Sequence, residues 1–376
     1  MVDESKALGA APPDQGANPA VVFRHVSKSY DGRPAVVKDL NLTVNRGEFL
    51  TILGPSGSGK TSILMMLAGF EQPTSGSIVA HGEDISRLPP HRRDIGMVFQ
   101  HYALFPHLTI VENLAFPLAA RHRPKAEIEK RVRWALDLVC LPMLGQRKPA
   151  ELSGGQQQRI ALARALIYQP ELVLMDEPLG ALDKQLREQM QEEIRRLHRE
   201  LRPTVIYVTH DQGEALTMSD RIAVFDHGRI AQLAPPRALY EAPETAFVAS
   251  FIGENNRLEG DVAAVSPGGC SFRLRSGVLV TATPVGVERV GVAASLSIRP
   301  ERVRRVRSAH ELDNVIEAVV TDMTFFGDAL RLRCLAPGIG EIVWKLQNGF
   351  EDRVPVPGET IMLGWRSADA RVFPEV

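Results

Sequence analysis

The amino-acid sequence predicts an α/β domain followed by a smaller all-β domain. From Val21 onward, short apolar runs alternate with segments of helical periodicity, which predicts parallel strands connected by helices. After about Asn255 the pattern changes to short alternating segments between clusters of Gly, Pro and Ser, which is typical of an all-β domain. The chain has 376 residues, and this length is sufficient for two domains.

Composition and charge exclude several classes of protein. Hydrophobic residues make up 44% and charged residues 24%, which excludes wholesale disorder and fibrous repeats. The net charge of −1 lacks the strong positive balance of a dedicated nucleic-acid binder. The cysteines at 140, 270 and 334 are too far apart to indicate a disulfide framework or a zinc site. Apolar stretches reach only about eight residues, whereas a membrane-spanning helix needs about 20.

The first residues, 1–20, start acidic and lack both a basic region and a sustained apolar run. They therefore do not resemble a secretory signal, and we expect a disordered tail and a cytoplasmic protein. Pro235, Pro236 and Pro243 come shortly before the change of pattern, so we place the domain boundary near residues 250–256. The predicted domains are residues 21–252 and residues 253–376.

Buried strands are predicted at residues 49–53, 172–175 and 204–208. The first is followed by a glycine-rich turn and a helix over residues 60–68 that ends at Gly69. A second helix is indicated by an apolar stripe that we expect to pack against the sheet, formed by Leu186, Met190, Ile194, Leu197 and Leu201. Strands of the all-β domain are predicted at residues 270–275, 278–283, 328–334 and 341–345.

The glycine-rich turn satisfies the phosphate-loop pattern G-x-x-x-x-G-K-[ST], and it lies between a predicted strand and a predicted helix, as that motif requires. Its residues are Gly54, Pro55, Ser56, Gly57, Ser58, Gly59, Lys60 and Thr61. The glycines let successive N–H groups face a phosphate, Lys60 supplies a positive charge, and the Thr61 hydroxyl can ligate Mg²⁺. This loop predicts nucleotide binding.

The strand at residues 172–175 ends on two carboxylates, Asp176 and Glu177, at the sheet edge where α/β proteins bind ligands. Asp176 can hold a Mg²⁺ ion, and Glu177 can polarise an attacking water as general base. Taken alone, this pair is equally compatible with a simple strand-ending turn.

Residues 152–156, LSGGQ, precede a predicted helix. Ser153 and Gln156 have the spacing of a capping box. A capping box does not require the intervening glycines, Gly154 and Gly155, whose missing side chains would let a phosphate approach the helix N-terminus. The segment therefore predicts a second anion-binding site.

These motifs together resemble the ATP-binding subunit of ABC transporters, with Walker A at 54–61, the signature at 152–156 and Walker B at 172–177. The resemblance covers about residues 21–250 and implies a P-loop NTPase core of RecA-like fold with ATP and Mg²⁺ as cofactors. It implies that Tyr30 stacks on adenine and that Gln100 belongs to the Q-loop. Asp183 would end the D-loop, and His210 would contact the γ-phosphate.

By the same resemblance, the ATP site would include Ser62, the Mg²⁺ shell would include Thr61, Gln100 and Asp176, and the catalytic residues would be Glu177, His210 and Gln100. Two copies of the domain would pair head to tail, so that Ser153 and its glycines complete the ATP site of the other copy. Gly213, where close relatives carry glutamate, is a departure from the family pattern.

The short spacing between Walker A and the signature leaves no room for the long coiled coil of chromosome-maintenance relatives. The resemblance implies a helical subdomain at about 103–160 that meets an integral membrane permease, and an OB-like TOBE module at the carboxyl end. It places the chain at the cytoplasmic side of the inner membrane as a peripheral subunit, supplied indirectly by a solute-binding protein.

Two alternatives stay open from the sequence. OB-like barrels can bind nucleic acid, and the carboxyl-terminal domain carries a local basic run, although we expect no nucleic-acid partner. The run consists of Arg299, Arg302, Arg304, Arg305 and Arg307. The resemblance favours the polyamine branch, spermidine and putrescine, but importers of ferric iron, phosphonate, thiamine or sugar remain possible because the cassette does not touch the cargo.

Overall fold

The computed structural model describes residues 19–180, 182–266, 268–308, 310–349 and 354–375. The predicted tail at residues 1–20 lies almost entirely outside this range, and so does Ala181 of the predicted D-loop. The chain divides into two compact units, Met1–Pro236 and Arg237–Val376. Within the described ranges, no helix combines the length and the apolar character that a membrane span requires.

The first unit contains two sheets and a set of helices. Its strands are β1 (Pro19–Lys28), β2 (Val37–Asn45), β3 (Phe49–Leu53), β4 (Ser75–Ala80), β5 (Glu83–Asp84), β6 (Gly96–Val98), β7 (Leu172–Asp176), β8 (Thr204–Thr209), β9 (Arg221–Asp226) and β10 (Arg229–Ala234). Its helices are α1 (Lys60–Ala68), α2 (Ile110–Ala119), α3 (Lys125–Leu138), α4 (Gly154–Leu166), α5 (Lys184–Leu201) and α6 (Gln212–Met218).

The larger sheet has the strand order β10-β9-β3-β8-β7-β6, and all its neighbours are parallel except β9 and β10. The strands predicted at 49–53, 172–175 and 204–208 are confirmed as β3, β7 and β8, and they lie next to one another. Because parallel strands end at the same edge, the residues that follow β3, β7 and β8 meet there.

The smaller sheet, with the order β2-β1-β4-β5, is antiparallel. The prediction of parallel strands was therefore wrong for this part of the chain. Residues 29–36, which join β1 to β2, are too few for the crossover of a dozen or more residues that parallel neighbours need.

Apolar side chains cover both faces of the parallel sheet. On one face α1 packs between the two sheets, with Ile63, Leu64 and Leu67 fully buried. On the other face α5 buries Met190, and with it Ile194 and Leu197, so the predicted apolar stripe is confirmed as a packing face. A separate apolar cluster joins α2, α3 and α4 within the region predicted as a helical subdomain.

The second unit begins with short helices and continues in strands. The helices are α7 (Pro236–Glu241), which begins at the last residue of the first unit, and α8 (Ala246–Phe251). The strands are β11 (Asn256–Ser266), β12 (Gly269–Leu274), β13 (Leu279–Pro284), β14 (Ala293–Ile298), β15 (Arg304–Val306), β16 (Asn314–Phe325), β17 (Ala329–Ala336), β18 (Gly340–Gln347), β19 (Thr360–Trp365) and β20 (Ala370–Pro374).

A closed barrel of order β11-β12-β13-β20-β14 and a sheet of order β15-β19-β16-β17-β18 share one apolar core. The predicted all-β character of this region is confirmed. Arg299, from the basic run, is buried and donates hydrogen bonds to the backbone carbonyls of Tyr240, Ala249 and Glu254. Arg305 pairs with Glu359 at 3.1 Å, so these two members of the run have internal partners.

Candidate nucleotide site

The phosphate loop, residues 54–59, connects the end of β3 to the first residue of α1. Gly57 and Gly59 have φ values of 78° and 104°, which non-glycine residues rarely adopt. A Cβ on Gly54 would lie 2.2 Å from the carbonyl oxygen of Phe225, and one on Gly59 would lie 2.4 Å from that of Val36. The loop therefore needs glycine both for its left-handed turns and for its close approach to neighbouring backbone.

Lys60 is the first residue of α1, and its side chain is buried. Its Nζ donates hydrogen bonds to the carbonyl oxygens of Gly54 at 2.8 Å and Pro55 at 2.9 Å, which occupy two of the three donors of an ammonium group. Burial lowers the pKa of Lys60, and the nearby carboxylates of Glu177 and Asp176 oppose that shift. The loop thus holds a positive charge at its centre.

The loop fits a phosphate group and a divalent cation. The hydroxyl oxygen of Ser58 is buried and, among the described residues, has no hydrogen-bond partner, so the loop contains a polar group whose hydrogen-bonding capacity is unused. The N–H groups at the start of α1 and the helix dipole favour an anion at the same place. The Thr61 hydroxyl lies 3.4 Å from Oδ1 of Asp176, and such oxygen donors suit Mg²⁺.

Asp176 and Glu177 lie at the carboxyl end of β7. Burial raises the pKa of Asp176, and the charge of Glu177 adds to this shift, whereas the hydrogen bond from Thr61 and the charge of Lys60 oppose it. Glu177 adopts a φ of 42°, a left-handed conformation that costs free energy in a non-glycine residue. Its N–H donates to the carbonyl oxygen of Val208 at 2.9 Å, which ties this turn to β8.

His210 directly follows β8, and its Nδ1 lies 3.2 Å from Oε2 of Glu177. His210 is exposed and Glu177 is partly exposed, so this pair faces solvent rather than the core. The structure therefore brings together Lys60, Thr61, Asp176, Glu177 and His210 at one sheet edge.

Tyr30 lies beside the first turn of α1. Its hydroxyl is 3.1 Å from that of Ser62 and also contacts the carboxylate of Glu71, while the ammonium of Lys28 lies 4.7 Å from the ring centre. About a third of Tyr30 is exposed, at 36%. The ring is therefore near the phosphate loop and accessible to a ligand.

Gln100 follows β6, whose last residue Val98 is paired with Met175 of β7. This register places Gln100 at the same sheet edge as Glu177. Its side chain is exposed.

The signature segment forms the predicted capping box. The Gln156 N–H donates to Oγ of Ser153 at 3.4 Å, and the Ser153 N–H donates to the Gln156 side-chain oxygen at 3.0 Å. A Cβ on Gly155 would lie 2.8 Å from the terminal methyl groups of Leu186, so a larger residue there would make the Leu186 side chain on α5 shift. Gly154 has only an ordinary contact, 3.8 Å, and is exposed. Approach by a phosphate stays the predicted reason for glycine at both positions.

Asp183 caps α5, because its Oδ1 accepts the N–H of Leu186 at 3.0 Å.

Two arginines near these motifs were not singled out by the sequence analysis. Arg187 contacts Asp211, the residue after His210, at 3.1 Å. Arg164 donates to the carbonyl oxygens of Tyr102 and Ala103, both at 3.0 Å. The sequence offers one signal for both arginines: each is a charged residue on a helix whose N-terminus carries a motif.

Comparison with known proteins identifies the family of this chain. The ABC transporter family matches residues 37–180, and the TOBE domain family matches residues 296–373. The chain is 46% identical to the spermidine/putrescine import ATP-binding protein of Acidothermus cellulolyticus, over 96% of this chain and 98% of that protein. It is 47% identical to the protein of the same name from Rubrobacter xylanophilus, over 95% of this chain and 94% of that protein.

Among solved structures, cbiO1 from Clostridium perfringens, part of the ABC transporter complex cbiONQ, is 27% identical and gives a TM-score of 0.55 over 59% of this chain and 90% of that one. The ATP-binding cassette MJ0796, dimeric in a post-hydrolysis state with ADP and Pi, is 34% identical with a TM-score of 0.52 over 58% of this chain and 99% of that one. The chain therefore belongs to the ABC transporter family of ATPases, as an ATP-binding cassette followed by a TOBE domain.

Proposed function

We propose that this chain is the ATP-hydrolysing subunit of an importer for the polyamines spermidine and putrescine. The observation that carries this proposal is the likeness over nearly the whole length, TOBE domain included, to import proteins named for those polyamines. A cassette alone would indicate only that ATP is used, since the cargo is chosen by other subunits.

In the proposed reaction, Lys60 and the N–H groups at the start of α1 bind the β- and γ-phosphates, and Tyr30 holds the adenine. Mg²⁺ would be held by Thr61, Asp176 and Gln100, and it would neutralise part of the phosphate charge. Their oxygen atoms and their common sheet edge support this assignment.

Glu177 acts as general base on the attacking water. His210 contacts the γ-phosphate and orients the Glu177 carboxylate. The distance of 3.2 Å between these side chains supports this division of roles. The left-handed backbone at Glu177 also supports a functional role, because strained conformations of non-glycine residues cluster at active sites.

We further propose a head-to-tail dimer in which the signature of one copy, residues 153–156, reaches the γ-phosphate bound by the other. The chain has a second helix N-terminus suited to an anion, at α4, but one phosphate loop. Dimeric relatives of known structure support the pairing. The dimer would bind permease subunits at the cytoplasmic side of the inner membrane, and a solute-binding protein would deliver the cargo.

Uptake of radiolabelled spermidine and putrescine by cells that lack this chain tests the proposal. Wild-type protein should restore uptake, and the Glu177→Gln variant, which loses the general base, should not. Ferric iron, thiamine and maltose serve as comparison cargoes. If polyamine uptake is unaffected and uptake of another cargo fails, the polyamine assignment is wrong and the ATPase assignment stands.

A further inference from the structure

Arg187, in the first turn of α5, connects two loops that carry site residues. Its Nη1 lies 3.1 Å from Oδ2 of Asp211, and its Nη2 donates to the carbonyl oxygen of Leu182 at 3.1 Å. Leu182 immediately precedes Asp183, and Asp211 immediately follows His210. One planar guanidinium group therefore joins the start of α5 to the loop that follows β8.

The other side of His210 is fixed by a buried carboxylate. Glu214, only 2% exposed, accepts hydrogen bonds from the hydroxyls of Thr209 and Tyr207, both at 2.7 Å. The Asp211 N–H donates to the Thr209 hydroxyl at 3.0 Å, and Asp211 accepts the N–H of Glu214 at 3.1 Å. Both neighbours of His210 are thus held, while the His210 side chain itself reaches Glu177.

Arg187 also provides the positive charge of this network. Its Nε lies 3.9 Å from Oε1 of Glu214 and, among the described residues, is buried with no hydrogen-bond partner. Asp211 and Glu214 are separated by one helical turn and share this guanidinium. Without it, the buried carboxylate of Glu214 and the neighbouring carboxylate of Asp211 would lose the cation that they share, and their repulsion would displace them.

We propose that Arg187 is a positioning residue for ATP hydrolysis, which sets the place of His210 relative to Glu177 by clamping Asp211 to the segment at Leu182 and Asp183. The inference rests on the proposed roles of His210 and Glu177. The partners of Arg187 are Asp211, Leu182 and Glu214, none of which belongs to the phosphate loop. Arg187 therefore acts on turnover and not on nucleotide affinity. A displacement of the Asp183 segment would move Asp211, and with it His210.

Steady-state kinetics of the full-length protein test this inference. Arg187→Gln should lower kcat by about 10- to 100-fold, as expected for a misplaced catalytic group, and leave the Kd and KM for ATP within about twofold. Arg187→Lys keeps the charge but loses the planar fork, so kcat should fall by an intermediate factor. Arg199→Gln, an exposed arginine of the same helix, is the matched control and should match wild type.

Thermal unfolding shows whether each variant is folded, and Arg187→Lys provides the test if Arg187→Gln is not. A folded variant of Arg187 with wild-type kcat, or one whose loss lies in ATP affinity, would overturn the inference. His210→Ala separates this result from a failure of the proposed function. If His210→Ala loses turnover while Arg187→Gln retains it, only the role of Arg187 is rejected. If wild-type protein does not hydrolyse ATP, the proposed function itself fails.

Discussion

The imidazole Nδ1 of His210 lies 3.2 Å from the carboxylate Oε2 of Glu177, although these residues belong to the ends of different strands. The contact exists because β7 and β8 are parallel neighbours whose carboxyl ends meet. It places the proposed general base, Glu177, within hydrogen-bond reach of an imidazole that can orient it.

The Glu177→Gln variant should bind ATP normally and lose turnover by about 10²–10⁴-fold, because the amide keeps the shape of the side chain but not its basicity. ATP should therefore hold two copies together. Size-exclusion chromatography with ATP checks this, and Glu171→Gln, an exposed carboxylate before β7, is the control. A Glu177→Gln protein that stays monomeric at saturating ATP would contradict the head-to-tail dimer.

Lys60→Ala should weaken ATP binding by about 100-fold or more, since charge-assisted hydrogen bonds contribute about 1.5–3 kcal/mol each. Calorimetric titration measures the affinity directly. Lys125→Ala, an exposed lysine at the start of α3, removes the same charge elsewhere and should bind as wild type does. Unchanged affinity in Lys60→Ala would refute the phosphate-loop assignment.

Ser153→Arg should leave ATP binding to a single chain intact and abolish hydrolysis, because the larger side chain blocks approach of the α4 N-terminus to a phosphate. Mixing Ser153→Arg with Lys60→Ala in equal amounts tests whether the site is shared. In a mixed dimer the altered signature of one chain faces the altered phosphate loop of the other chain. Both substitutions therefore lie in the same ATP site, and the second ATP site is intact.

Recovered ATPase activity in that mixture would support a site built from two chains, whereas each variant mixed with itself should stay inactive. A site built within one chain predicts no recovery. Absence of recovery is also expected if the two sites require each other, so binding of ATP by Ser153→Arg alone is measured in parallel. Loss of that binding would contradict the trans arrangement.

Arg164→Gln should destabilise the protein by about 1–3 kcal/mol, because two backbone carbonyls lose a charged donor. Those carbonyls belong to Tyr102 and Ala103, whose φ values of 60° and 50° are left-handed and need support. Thermal unfolding measures the loss, and hydrogen exchange should rise in residues 99–105. Arg133→Gln, an exposed position of α3, should change neither quantity.

Stability should depend on pH through Glu214. Burial raises the pKa of this carboxyl above its ordinary 4.5, and the charge of Asp211 adds to the shift, while Thr209, Tyr207 and Arg187 oppose it. The folded state therefore binds the proton more tightly than the unfolded chain, so stability declines as pH rises from 4.5 through the raised pKa.

Glu214→Gln keeps an oxygen acceptor for Tyr207 and Thr209 and has no proton to lose in this range. We compare its melting temperature with that of wild type at pH values from about 4.5 to 8. The melting temperature of the variant should rise relative to that of wild type as the pH increases. Glu192→Gln, at an exposed site on α5, should follow wild type at every pH. If the melting temperatures of Glu214→Gln and wild type differ by the same amount at every pH, Glu214 is not the source of the pH dependence.

Local elements and motif chemistry could be predicted from the amino-acid sequence alone. Strand β3, the glycine loop and helix α1 are contiguous, so apolar periodicity and the glycine spacing of the phosphate-loop pattern predict them without reference to the rest of the chain. The same holds for the Ser153 capping box and for the carboxylates at the end of β7, Asp176 and Glu177. Each of these signals lies within a few residues.

Contacts between these segments, in contrast, depend on the folded arrangement of the sheets. The antiparallel pairing of β1 with β2, the His210 contact with Glu177 and the clamp of Arg187 on Asp211 all join residues that are distant in sequence. Periodicity records which side of an element is apolar, but not which element lies beside it. The order of strands in the sheet fixes those neighbours, and a single charged side chain such as Arg187 gains its partners only once that order exists.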